Sequence, residues 1–106
     1  MDSVFAGRPP YMRSVYDEIV AALRESGPVH EDAVTVGVFL KAGRKIAEVR
    51  PMARSLRVWL LLPREVPGLR SVRATSEFWA VDLRFTSDEV GEDVRALLDE
   101  AYDAAV

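Results

Sequence analysis

Three observations predict an α+β fold, an antiparallel sheet of four to five strands with the N- and C-terminal helices packed on one face. Apolar residues recur at spacings of three and four near both ends of the chain. Between those ends they alternate with a period of two, and the connections there are too short to hold a crossover helix.

The first helix opens at Pro9 and Pro10, where a missing N–H costs nothing and the fixed φ suits the first turn. Met12, Val15, Tyr16, Ile19, Val20 and Leu23 form one apolar stripe. Gly27 is expected to stop the helix in a left-handed conformation, and Pro28 forbids its continuation. Residues 1–8 lack periodicity and are expected to be an arm on a single domain spanning 9–106.

Val34, Val36, Val38 and Leu40 alternate with Thr35, Gly37 and Phe39, predicting a first strand. Gly43 turns the chain into a second strand, Lys45 to Arg50, which Pro51 ends for want of a ladder donor. Leu56, Val58, Leu60 and Leu62 alternate with Arg57, Trp59 and Leu61 in a third. Ser71 to Thr75 reads as a short edge strand. Phe78 to Phe85 reads as a further one, with Trp79, Val81, Leu83 and Phe85 opposite Ala80, Asp82 and Arg84. Val36, Val38, Val58, Leu60, Val81 and Leu83 are then expected beneath the helices. The closing helix starts with a capping box, Thr86 with Glu89, and a hydrophobic staple, Phe85 with Val90; Val94, Leu97, Leu98 and Ala101 continue its buried stripe.

With 106 residues, 49% of them apolar and 29% charged, the chain suits one globular core rather than two or a disordered polymer. No apolar run is long enough to cross a bilayer, and no secretory leader is evident, so a stand-alone bacterial domain in the cytoplasm, without membrane contact, is expected. The absence of cysteine excludes disulfides, thiolate catalysis and cysteine zinc sites. The net charge of −3 conceals an asymmetry: nine basic residues face two acidic ones between Lys41 and Arg73, whereas seven acidic residues face Arg95 alone from Ser87 onward.

Phe39, Trp59 and Leu61 should point away from the helices, beside Arg57 and Arg84. A solvated sheet face would carry polar residues there, so this face is expected to be an interface, with a homodimer favoured over a ligand cleft or another protein partner. A one-residue slip in register would exchange the two faces. Arg50, Arg54 and Arg57 offer a site for a small anionic ligand. An alternative is metal binding, iron included, by the acidic closing helix, where Asp99 and Asp103 lie on neighbouring turns. A weaker one is single-stranded nucleic-acid binding through arginines and Trp59 or Trp79, against which stands a pI near 5.1. His30, the lone histidine, is expected on a surface loop; it has no metal-ligand spacing around it and is the one candidate base for the serines, so neither catalysis nor a cofactor is expected.

The stretch VGVFLKAGRKIAEVRPMARSLRVWLLLP (residues 36–63), together with GPVH at 27–30 and the terminal DEVGEDVRALLDEAYDAA, resembles the bacterial domain-of-unknown-function family 5655. Its most specific parts are AEVRP and EAYDAA, and it covers nearly all of the chain after about residue 10. Members tend to carry an aromatic where Ile46 stands, which puts any role of that ring in doubt here. The resemblance implies a compact helix–strands–helix domain, sometimes described as a transport protein, with no activity or catalytic residues to transfer. The layout is also similar to small iron-chaperone-like proteins with an acidic helix, an analogy of architecture that does not fix function.

Overall fold

The computed structural model describes residues 2–64, 66, 70–71, 77–83 and 91–106. Its elements are helix α1 (Asp2–Phe5), helix α2 (Pro10–Ser26), strands β1 (His30–Ala33), β2 (Val38–Ala42), β3 (Arg44–Pro51), β4 (Leu56–Leu61), β5 (Arg70–Ser71) and β6 (Phe78–Leu83), and helix α3 (Glu92–Ala105). All pairings are antiparallel, in the order β1-β2-β3-β4-β6-β5, so five substantial strands are extended by the two-residue edge strand β5. The expected α+β architecture is thus present, with α2 and α3 against each other and against the central strands.

The apolar stripe of α2 is buried in full, with Ala22 added. It faces Val38, Leu40, Val49, Leu56, Val58 and Leu60 from the sheet and Leu98, Ala101 and Tyr102 from α3. Residues 2–5 form a helical turn rather than a loose arm. Val4 is buried, and the Phe5 ring lies 5.2 Å from the Tyr16 ring, so apolar burial holds this segment against α2. Gly27 is not left-handed. Its φ of 156° and ψ of −172° lie in a region that side-chain-bearing residues rarely adopt, and a Cβ there would overlap the Tyr102 hydroxyl, which donates to Pro28 O at 3.1 Å.

The predicted strand over Val34–Leu40 is divided. Residues 34–37 form a hairpin turn closed by Val34 N–H donating to Gly37 O at 2.8 Å, and Val36, expected in the core, is 53% exposed. The backbone at Gly37 approaches β3 so closely that a Cβ would meet the Val49 carbonyl; the period-two pattern passes through this residue without signalling the turn. His30 consequently lies in β1 rather than a loop, opposite Lys41. A strand reading His-Glu-Asp-Ala carries no apolar face, as suits a sheet edge blunted by charge.

A bulge interrupts β3. Leu40 pairs with Ala47 but Lys41 with Lys45, which leaves Ile46 without a partner, and Ile46 and Ala47 are both fully buried. The closing helix starts at Glu92, with extended Gly91 as its N-cap and Glu92 and Asp93 in the first turn, where the helix dipole favours negative charge. The capping box and staple expected from Phe85, Thr86, Glu89 and Val90 lie outside the described residues, as does most of the strand expected over Ser71–Thr75.

Candidate binding face of the sheet

Strand register sets the side of the sheet turned away from α2 and α3. Phe39, Glu48, Trp59 and Ala80 form one row across β2, β3, β4 and β6, and Arg50, Arg57 and Asp82 form the next. These side chains are half-buried, in contrast to the fully enclosed Val38, Val49 and Leu60 of the helix side. The expected two-faced third strand is therefore present at Arg57 and Trp59.

It fails at Leu61, which was expected on the open face and is fully buried. Its direct partner is Phe78, a cross-strand neighbour near enough for the ring to cover the shorter side chain. Arg84, the remaining residue expected here, lies outside the described residues.

The open face is a layer of cations over rings. Lys45 Nζ stands between Phe39 and Phe78, 4.6 and 4.7 Å from their centroids, and the Arg50 and Arg57 guanidinium carbons lie 5.1 and 5.8 Å from that of Trp59. Carboxylates are interleaved with them. Arg57 donates from Nε to Asp82 Oδ1 at 2.6 Å and from Nη2 to Oδ2 at 3.3 Å, a fork that holds its guanidinium even more firmly protonated than usual. Arg50 meets Glu48 at 3.5 Å, and Lys41 meets Asp32 at 3.1 Å. The role of Lys45 was missed in the sequence because the bulge at Ile46 decides which way it points.

The three arginines expected to form an anion site separate in their commitments. Arg50 and Arg57 are register partners, but Arg57 is engaged by Asp82. Arg54 is exposed in the β3–β4 turn, where its carbonyl accepts from the Tyr11 hydroxyl at 3.3 Å. On α3, Asp99 and Asp103 are exposed, and among the described residues no group of three or more His, Asp or Glu side chains is disposed to hold a metal ion. No helix among the described residues is long and apolar enough to cross a membrane.

Fold and face together define a small α+β domain with an aromatic, charge-studded sheet surface. The chain belongs to the DUF5655 family, a domain of unknown function whose model matches residues 1–105 and so takes in α1 as well as the sheet and both long helices. Neither the curated proteins nor the solved structures searched contain a match.

Proposed function

We propose that this chain is a non-enzymatic binding domain that pairs with a second copy of itself, open sheet face against open sheet face. The observation that carries this is the mixed-sign layer over aromatic rings. Arg50 and Arg57 pair with Glu48 and Asp82 beside Trp59, and Lys45 stands over Phe39 and Phe78. A twofold contact sets the same patch against itself, so only a face bearing both signs can avoid like-charge repulsion. The pairing of Arg57 with Asp82 supports a binding role over a catalytic one, because these groups hold each other in place instead of converging on a reacting atom.

The size of the face predicts the strength of the contact. Five strands about 4.8 Å apart and six residues rising about 3.3 Å each give a footprint of roughly 24 by 20 Å. That falls short of the ~800 Å² per partner typical of stable complexes, so a reversible dimer is expected, dissociating in the micromolar range.

Sedimentation equilibrium from micromolar to millimolar protein tests this. The wild type should titrate from monomer to dimer. Trp59→Ala should weaken the dimer roughly tenfold, as loss of a central aromatic anchor does, while Glu25→Gln, at an exposed position of α2, leaves it unchanged. A wild-type chain that stays monomeric throughout refutes the proposal.

A further inference from the structure

An open cleft of about 550 Å³ lies at one end of the sheet, bounded by α1, the β1–β2 turn and the end of β3. Among the described residues its polar lining is two arginines and two hydroxyl residues, Arg8, Arg50, Ser3 and Thr35. Apolar walls are supplied by Val36 and Met52 among others. Among the described residues no acidic side chain lines it.

Neither guanidinium is saturated by protein partners, and one buried donor of Arg50 has none. Arg8 spends Nη1 on the Met52 carbonyl at 3.2 Å, which fixes the side chain at the rim, and among the described residues it meets no carboxylate. Arg50 has one carboxylate contact, Glu48 at 3.5 Å, while its buried Nε–H has no partner. Guanidinium donors are normally satisfied when removed from water, because an unmade bond there costs more than a made one returns.

Val36 is a second, independent sign. Among the described residues the exposed large apolar side chains are Val36 and the terminal Val106, so Val36 is the internal one, and it stands on the wall of this cleft. Cationic donors beside an uncovered apolar wall suit a ligand with a charged head and an apolar body.

We propose that the cleft binds a small organic phosphate, with the phosphate between Arg8 and Arg50 and the organic group against Val36 and Met52. A phosphate carries close to two negative charges and three acceptor oxygens, which matches two guanidiniums and two hydroxyls better than a singly charged carboxylate does. The site is distinct from the proposed dimer contact, although Arg50 borders both.

Titration of ¹⁵N-labelled protein with phenyl phosphate, alongside inorganic phosphate and benzoate, tests this. Phenyl phosphate should produce saturable shifts in the amides of residues 3–8, 35–37 and 52–53, and should bind more tightly than either comparison ion. Arg8→Gln and Arg50→Gln should each weaken it roughly tenfold or more, the worth of a charge-assisted contact. Arg44→Gln, whose guanidinium pairs with Glu77, should not. Arg8 is exposed and off the sheet, so Arg8→Gln leaves both fold and self-association intact and separates this site from the dimer contact. No saturable shift at millimolar phenyl phosphate, equal binding of benzoate, or wild-type affinity in Arg8→Gln overturns the assignment.

Discussion

Tyr16 should make the domain lose stability in alkali, and replacing it with Phe should remove that loss. Its ring is fully buried on α2 and its hydroxyl donates to Glu31 Oε1 at 2.5 Å. Burial in the core, reinforced by the hydrogen bond to Glu31, pushes the phenol far above its ordinary value of 10.0. Below pH 10 both folded and unfolded chains keep the proton, and the hydroxyl contributes fully. Above pH 10 the unfolded chain releases it and the folded chain does not, so unfolding becomes easier by about 1.4 kcal/mol for each further pH unit. At neutral pH, Tyr16→Phe should cost about 1.5 kcal/mol, the lower end for a bond to a charged acceptor. The lower end applies because Glu31 keeps a second partner, Arg24 Nη2 at 3.3 Å, and is not stranded. Urea unfolding followed by tryptophan fluorescence from pH 7 to 11 should therefore show the wild type ahead by a constant margin to about pH 10, then falling toward the variant and crossing it near pH 11. Groups that titrate equally in both proteins cancel in the difference. Parallel curves across the whole range would refute the placement of the Tyr16 proton in a dry environment.

Two further perturbations test the sheet, and a third tests the turn between α1 and α2. Gly37→Ala should cost about 1–3 kcal/mol, the usual penalty of overpacking, because the new Cβ meets a backbone carbonyl that cannot swing aside; thermal unfolding reads it. Gly7→Ala, at φ 74° but with open space around it, should cost about 1 kcal/mol from backbone strain alone. A double-mutant cycle on Arg57→Gln and Asp82→Asn should give a coupling of about 1 kcal/mol, high for a surface pair because the fork is bidentate and half-buried; a coupling indistinguishable from zero would mean the fork is not held in solution.

What the sequence made legible follows the range of the interactions involved. Helix α2 is encoded by its own 17 residues, and every residue of its predicted stripe is buried. The faces of β4 and β6 were legible through Trp59 and Asp82, because a pleated strand alternates wherever its partners do not interfere. Alternation misled at Val36, where close approach of a strand about a dozen residues away forces a turn at Gly37. It misled again at Leu61, which is fully buried opposite Phe78 although periodicity assigns it to solvent. The cleft was not legible at all. Arg8 is fixed by a carbonyl 44 residues distant, and nothing local to residues 1–8 shows that the segment docks.

The bulge at Ile46 links the core to the binding face. Without it, strict alternation from Ala47 would turn Ile46 to the open side and Lys45 inward, burying an ammonium at a cost of several kcal/mol. Instead Ile46 and Ala47 both face the core, while Lys45 emerges beside Phe39 and Phe78. The ammonium then shields two rings that would otherwise form an apolar patch, and stays displaceable because ring contacts at such distances are worth only about 1 kcal/mol. A partner able to offer Lys45 a carboxylate could draw the ammonium away and uncover the rings at small cost. In the proposed dimer that carboxylate comes from the twofold-related Glu48 or Asp82, so self-association and aromatic burial would be one event.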